Sequence, residues 1–368
     1  MHNKHILGLV FKRTLSVSLF VILSFLAYSQ TYYFENYSVR DGLANSKVYD
    51  ILQDDGGYIW LATPSGLSRF DGESFKNFGT EDGIPENSIR ALFLDSDLQL
   101  WLGYENGNVY LKTKLGFREV INDSIKAKGE ISDITQNTNG DIIIGTIGAG
   151  LFIIQNVNSD QETISHFSGR DGIDSQIYNA SAARDGRVFF ATSVDMKYMD
   201  ADSAKFHFFR PSGFPSFFLT TTLIEDTKAN LWIGKHNGGL YKFDAQDSVF
   251  TFFDHRDGLA HNWVSTIFED SKGQIWVGTW GGGVSLIVED SVQVNFNVNN
   301  GLQGQSIQKI TEDTEGNIYI ATQENGFFIF KGNQFLSMTE DNGLTDEQIF
   351  DICEVNDSIV LLATNNGV

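Results

Sequence analysis

Residues 219–254, LTTTLIEDTKANLWIGKHNGGLYKFDAQDSVFTFFD, contain the pattern that decides the fold. β-Branched and aromatic side chains fill short runs, and Asn, Asp, Gly and Ser separate these runs, which is typical of short strands joined by tight turns. The pattern predicts one meander of four strands, over residues 219–225, 231–235, 239–243 and 249–254.

The same unit recurs along the chain. An aromatic or aliphatic anchor is followed two residues later by Ala or Gly in eight places, with 41 to 46 residues between successive anchors. The anchors are Trp60, Trp101, Ile143, Phe189, Trp232, Trp276, Tyr319 and Leu361. Seven of the eight units also place a glycine six or seven residues after the anchor, and only the Phe189 unit lacks it. A period of this length indicates one supersecondary unit repeated.

A repeated four-stranded unit predicts an all-β fold, the β-propeller. One such sheet alone would expose two edges and two faces, whereas sheets packed radially around an axis bury their faces against their neighbours. We expect the Ala/Gly column to lie where neighbouring blades meet, because a bulky side chain there would hold the sheets apart. The adjacent aromatic anchor would fill the gap between blades.

The number of blades depends on the N-terminal strand. Residues 32–37 run into Asp41-Gly42-Leu43 as residues 251–254 run into Asp257-Gly258-Leu259, so they resemble a displaced fourth strand that completes the last blade. We therefore expect a seven-bladed propeller within residues 30–335, with residues 336–368 beginning a second propeller. An eight-bladed ring is the alternative.

The first 29 residues predict export. Lys4, Lys12 and Arg13 precede an apolar stretch at 15–27, and Ala27-Tyr28-Ser29 offers small residues for a signal peptidase. A membrane anchor is the alternative, but the apolar run is shorter than the ~20 residues that a spanning helix needs. A cleavable signal predicts a periplasmic protein. The formal net charge of −21 argues against nucleic acid as a partner.

Residues 51–63, ILQDDGGYIWLAT, followed by GLSRFD at 66–71, resemble the two-component regulator propeller repeat, and residues 223–244 and 267–286 are similar. The resemblance implies a periplasmic sensor region of a membrane histidine kinase, in which tandem propellers precede a β-sandwich, a transmembrane helix and kinase modules. It also implies an extracellular small-molecule or oligosaccharide ligand and a homodimeric receptor. This sequence contains no kinase, β-sandwich or spanning segment, so we expect any membrane attachment to come from segments beyond residue 368.

We expect the chain itself to be non-catalytic and to need no cofactor. The glycine-rich segments 145–150 and 278–283 resemble phosphate loops, but no helical pattern follows them. No segment has the ligand spacing of an EF-hand. Two alternatives remain open: a secreted propeller hydrolase or lyase acting on sugars through paired carboxylates, and a free-standing interaction scaffold.

Strand parity predicts where a ligand binds. In an antiparallel blade, the loop between the second and third strands emerges on the same face as the junction that leads to the next blade. Large side chains with polar tips are suited to recognise sugars, because aromatic rings stack on their apolar faces and polar groups bond the hydroxyls. The candidate ligand-binding residues on that face are Tyr104, Glu105, Lys235, His236, Trp280, Arg256, His261 and Trp263. His236 and His261 lack a third ligand on a shared loop, so no metal site is expected.

Overall fold

The computed structural model describes residues 32–84, 88–114, 116–121, 129–200, 203–214, 219–332, 344–346, 348–356 and 359–367. The predicted signal peptide lies outside these residues. The chain separates into two compact units, Met1–Phe330 and Lys331–Val368. The described part of the first unit consists of seven four-stranded antiparallel sheets.

Each sheet is one blade, and its strands follow one another in order from the axis outward. Blade 1 contains β2 (Asp50–Gln53), β3 (Ile59–Thr63), β4 (Gly66–Phe70) and β5 (Phe75–Phe78). Blade 2 contains β6 (Ile89–Leu94), β7 (Leu100–Tyr104), β8 (Val109–Thr113) and β9 (Gly116–Ile121). Blade 3 contains β10 (Glu130–Gln136), β11 (Ile142–Ile147), β12 (Leu151–Gln155) and β13 (Thr163–Phe167). Blade 4 contains β14 (Ile177–Ala182), β15 (Val188–Thr192), β16 (Met196–Met199) and β17 (Phe206–Phe208).

The remaining three blades follow the same order. Blade 5 contains β18 (Thr220–Glu225), β19 (Leu231–Lys235), β20 (Gly239–Asp244) and β21 (Val249–Phe253). Blade 6 contains β22 (Val264–Glu269), β23 (Ile275–Thr279), β24 (Val284–Val288) and β25 (Ser291–Phe296). Blade 7 contains β26 (Ile307–Glu312), β27 (Ile318–Thr322), β28 (Phe327–Phe330) and the N-terminal β1 (Glu35–Tyr37).

The N-terminal strand closes the ring. β1 pairs antiparallel with β28, and the Tyr37 ring stacks on Phe327 with 5.3 Å between ring centroids. The innermost strands of successive blades contact one another all the way round, from β2 through β6, β10, β14, β18 and β22 to β26 and back to β2. The prediction of seven blades is confirmed, and the eight-bladed alternative is wrong.

The Ala/Gly column lies between the blades, as predicted. A Cβ added to Gly234 would lie 2.6 Å from Cγ1 of Val264 in the next blade, and one added to Gly103 would lie 2.4 Å from Cγ2 of Ile131. Ala62 is fully buried in the same kind of cluster, beside Trp60. Close approach of the sheets therefore requires the small residue, and the neighbouring anchor fills the remaining space.

Four tryptophan anchors are also tethered by hydrogen bonds. The indole Nε1 of Trp232 donates to Oδ2 of Asp226 at 2.8 Å, while Oδ1 of Asp226 accepts the backbone N–H groups of Lys228 and Asn230. The same arrangement recurs at Trp60 with Asp54, Trp101 with Asp95, and Trp276 with Asp270. One carboxylate thus shapes the turn between the first two strands and satisfies a buried donor.

A second set of bonds links neighbouring blades on the face that carries those turns, which we call the turn face. The last residue of an innermost strand accepts donors from the turn of the preceding blade: both carboxylate oxygens of Glu269 bind Thr227, through its N–H at 2.7 Å and its hydroxyl at 2.6 Å. At the ring closure, Oε1 of Gln53 accepts the N–H of Thr314 at 2.8 Å. Blade 7 is therefore joined to blade 1 by side chains as well as by β1.

The second unit contains one described hairpin, β29 (Ile349–Asn356) and β30 (Ile359–Thr364). Its Thr364 Oγ1 donates to Gly367 O at 3.0 Å, just as Thr322 donates to Gly326 O at 2.8 Å in blade 7. The assignment of residues 336–368 to a second propeller stays a prediction.

Candidate functional site

The loops between second and third strands bond directly to the blade junctions. The N–H of Gly239 donates to Asn262 O at 2.8 Å, and the N–H of Trp280 donates to Trp263 O at 2.9 Å. Both sets of loops therefore lie on one face, which we call the loop face. It is the face on which strand parity placed the candidate residues.

Three of the predicted residues form an aromatic stack on the loop face of blades 5 and 6. The rings of His236 and Trp263 meet at 60° with 4.0 Å between centroids. Those of Trp263 and Trp280 stack at 25° with centroids 5.4 Å apart. All three side chains are partly exposed. This aromatic stack comes from three separate loops and presents rings to solvent.

Glycines let these loops approach each other. Gly281 and Gly283 have φ values of 105° and 83°, a backbone region that glycine adopts readily. A Cβ on Gly282 would lie 2.5 Å from Ala260 O in the adjacent junction. The glycine run at 278–283 therefore packs the Trp280 loop against the junction that carries Trp263. Strand β24, and no helix, follows this run.

His261 lies beside the stack, whereas Arg256 does not join it. Nδ1 of His261 accepts the N–H of Trp263 at 3.0 Å and so fixes the start of blade 6. Arg256 lies in the 3₁₀ turn His255–Asp257, directly after the outermost strand of blade 5. Its guanidinium binds Asp254 through Nε at 2.9 Å and through Nη2, and this pairing lowers the pKa of Asp254 to about 2. We therefore place Arg256 on the outer part of this junction.

Two predicted surface residues, Tyr104 and Lys235, are buried instead. Each is the last residue of a second strand, and its side chain points into the seam between blades. Tyr104 packs in the core beside Tyr110. Nζ of Lys235 donates to Oγ1 of Thr220 at 2.8 Å, and desolvation lowers the lysine pKa to about 8. Neither offers a surface for direct ligand contact.

Glu105 belongs to a separate charged group on blades 2 and 3. Its Oε1 accepts from Nη2 of Arg90 at 2.9 Å, and Nε of Arg90 lies 3.1 Å from Oε1 of Glu130. The nearby Ser88 side chain and then Arg90 lower the pKa of Glu105. The eight predicted residues thus divide into the aromatic stack with His261, the Glu105 group, the outlying Arg256 and two buried side chains.

Sequence reasoning missed a polar cavity on the axis. This cavity of about 100 Å³ is lined by all seven innermost strands and contains Asp50, Asp133 and Lys309. Nζ of Lys309 lies 3.8 Å from Oδ1 of Asp50, and burial raises the pKa of Asp133 to about 6. The sequence did contain a signal for this cavity, because a polar residue occupies the same position in successive repeat units. In the structure, Asp133 and Lys309 come directly after an irregularity in strand pairing.

These axial side chains join neighbouring blades. Oδ2 of Asp133 accepts the N–H of Ala180 in blade 4 at 2.9 Å, and Oδ2 of Asp50 accepts the N–H of Leu92 in blade 2 at 2.9 Å. Each bond satisfies a donor beside the bulge of the next blade. The cavity lining is therefore first of all a structural feature of the ring.

Within the described ranges, no group of three or more His, Cys, Asp or Glu side chains is placed to hold a metal ion. The described part of the chain also contains no helix with the length and apolar character needed to cross a bilayer.

Comparison with known proteins finds a repeat family that two segments of this chain resemble. The family model described as "Two component regulator propeller" matches residues 42–65 and 258–281, which fall in blades 1 and 6 with their preceding junctions. These two segments are similar to the two-component regulator propeller repeat. A histidine kinase, "Histidine kinase P4" of Formosa agariphila, is 37% identical over 81 residues, which are 21% of this chain and 6% of the kinase.

Solved structures share the propeller fold. The extracellular domain of the hybrid two component system BT3049 from B. thetaiotaomicron has a TM-score of 0.69 at 19% identity, over 91% of this chain and 47% of that one. A streptogramin B lyase has a TM-score of 0.62 at 16% identity, over 81% of this chain and 97% of the lyase. At these identities the likeness shows the fold alone. This chain spans about half of the BT3049 domain and a small part of the kinase.

Proposed function

We propose that this propeller is the ligand-sensing module of a two-component receptor and works in the periplasm. It binds an extracellular small molecule or oligosaccharide on its loop face and performs no catalysis itself. Binding changes how the propeller packs in a receptor homodimer and so changes the activity of a kinase in the same receptor. That mechanism requires the ligand to bind the two arrangements with unequal affinity.

The aromatic stack is the observation that carries the proposal. Trp263 and Trp280 present rings side by side, and His236 adds a polar edge at 4.0 Å from Trp263. Such a platform suits a ring-shaped, polar ligand, because the apolar face of a sugar covers the aromatic ring while its hydroxyls remain free to bond neighbours. The repeat family and the similarity to an extracellular domain of a two-component system support the sensor role.

The first test is a binding screen on the full chain. Tryptophan fluorescence and calorimetry with a panel of neutral and charged oligosaccharides should identify a ligand. We expect Trp263→Ala and Trp280→Ala each to weaken its binding about 3- to 10-fold, the range for loss of one aromatic contact. Tyr58→Ala is the matched control, because Tyr58 stacks under Arg69 on the turn face. Equal affinity of both tryptophan variants and the wild type would refute the site.

The second test concerns signalling. In a receptor that contains this propeller, the ligand should change kinase autophosphorylation, and Trp263→Ala should shift the response to higher ligand concentration. A ligand that binds normally while kinase output stays flat would separate binding from sensing and overturn the sensor role.

A further inference from the structure

Three columns of the repeat are broken at the seam between blades 4 and 5 on the loop face. The first column is a threonine at or next to the end of the second strand, whose Oγ1 donates to the carbonyl closing the following loop. This bond is 2.7 Å at Thr63 and 2.8 Å at Thr146, Thr279 and Thr322. Blade 5 places Lys235 there, and blade 2 places Tyr104.

The second column is the glycine whose carbonyl accepts that bond. In blades 3 and 6 this glycine lies against the outermost strand, where a Cβ on Gly150 would be 2.3 Å from Phe167 O and one on Gly283 would be 2.1 Å from Phe296 O. No side chain fits there. Blade 4 has Asp195 in that column, without a positive φ, and the Asp195 side chain is buried.

The third column is the blade junction itself. Four described junctions begin with a 3₁₀ turn closed by a left-handed glycine, for example His255–Asp257 with Gly258 at φ 97°. After blade 4 the chain instead runs through Arg210, Pro211, Gly213 and Phe214. These residues, with Val194 and Asp195, line a cavity of about 460 Å³.

The charges at this seam are opposite to those of the chain as a whole. The Arg210 guanidinium binds the Asp195 carboxylate and remains 58% exposed. Nζ of Lys235 lies 4.7 Å from the centroid of Phe214, which forms the cavity wall. Two cations therefore lie beside one carboxylate, in a chain of net charge −21.

We propose that this seam cavity binds a ligand through an oxyanion group, a carboxylate, sulfate or phosphate. A guanidinium offers five donors in a plane, and one edge of Arg210 remains available after Asp195 takes the other. The Phe208 ring lies 4.3 Å from the Arg210 guanidinium carbon and supports that plane. Lys235 supplies buried positive charge behind Phe214 and acts through the field of the cavity, without touching the ligand.

Both the volume and the broken repeat support a site. A cavity of about 460 Å³ falls in the range of small-molecule pockets and exceeds the size of a bare ion. Residues that break a structural rule of their own repeat are expected at functional positions. This inference stands apart from the aromatic stack, because it uses different residues and a different ligand group.

The experiment is calorimetry on the full chain with glucuronate, glucose, inorganic sulfate and inorganic phosphate, with ionic strength held constant by sodium chloride. We expect at least one oxyanion to bind and glucose not to bind. Arg210→Gln should weaken that binding at least tenfold. Lys235→Thr, which introduces the threonine found in blades 1, 3, 4, 6 and 7, should weaken it about threefold or more. Arg187→Gln is the control, because Arg187 pairs with Asp185 on the turn face of blade 4 and should leave affinity unchanged.

The outcomes separate the sources of the oxyanion. Binding of glucuronate without the inorganic ions supports an organic acid, and binding of sulfate or phosphate alone supports an inorganic ligand. Because Arg210→Gln leaves Asp195 without its partner, Lys235→Thr provides the second check, and the melting temperature of each variant shows that it is folded. The proposal is overturned if no oxyanion binds, if glucose binds as well as glucuronate, or if both folded variants keep wild-type affinity.

Discussion

Replacing Gly234 by alanine tests the packing that determines the propeller. The added methyl group would lie 2.6 Å from Cγ1 of Val264, 2.7 Å from Cγ2 of Thr222 and 3.0 Å from Cβ of Val264. Carbon atoms in contact prefer about 3.5 to 4.0 Å, so the sheets of blades 5 and 6 must separate or their side chains must leave their rotamers. Both Val264 and Thr222 are β-branched and stiff at χ1, which limits the second route.

The expected cost follows from overpacking. Insertion of one methyl group into a close-packed core costs about 1 to 3 kcal/mol. For a domain of this size, that corresponds to a fall of several degrees in melting temperature. Differential scanning calorimetry and tryptophan fluorescence should both detect it, since Trp232 lies in the same seam.

Gly169→Ala is the matched control. Gly169 lies in a 3₁₀ turn, has nothing within 4 Å of an added Cβ, and does not require positive φ. We expect this variant to melt within about one degree of the wild type or slightly above it. If Gly234→Ala melts at the same temperature as Gly169→Ala, the account of the Ala/Gly column is wrong.

Two further predictions concern the bonds that hold the blades. Asp270→Ala removes the acceptor of the Trp276 indole, bonded at 2.9 Å, and of two turn N–H groups. Because the buried indole is left unsatisfied, the free energy of unfolding in urea should fall by about 1 to 3 kcal/mol. An unchanged urea midpoint would contradict the stabilising role of this bond. Asp133 has its pKa raised from 3.8 to about 6, so between these values the folded state holds a proton that the unfolded chain has released. Its contribution to stability should therefore be lost as pH rises from about 4 to 6, by about 3 kcal/mol at most. Urea unfolding across that range should show a steeper slope in the wild type than in Asp133→Asn, and equal slopes in both proteins would refute the assignment.

Much of the fold follows from the sequence, because a propeller is built from repeated local units. The strand predicted at 231–235 is β19, and the small residues at 103 and 234 lie in the seams for the steric reason that suggested them. The N-terminal strand completes blade 7 because its sequence has the register of a fourth strand.

The grouping of the site residues needed the structure. The sequence places His236, Trp263 and Trp280 on loops of one face. Their contact depends on the backbone conformation of each loop, which in the Trp280 loop includes positive φ at Gly281 and Gly283. Strand parity assigns a face to a loop without telling whether its first residue points outward. For that reason Lys235 was expected at the surface and is buried.

Contacts between residues that are far apart in the sequence could not be derived from the repeat pattern. Asp50 and Lys309 lie in the first and the last blade and meet because the innermost strands β2 and β26 are neighbours in the closed ring. The seam of blades 4 and 5 had a visible signal, since the Phe189 unit lacks the repeat glycine. Its meaning depended on the nearby Arg210 and Lys235, which belong to the next junction and the next blade.

Hydrogen exchange with the ligand identified in the oligosaccharide screen tests the central claim most directly. The account predicts slower exchange at the amides of residues 236–239, 261–264 and 280–283 on the loop face, and no change at the turns 54–57 and 226–230 on the turn face. Protection confined to the turn face or to the outermost strands, with the aromatic stack unchanged, would contradict it.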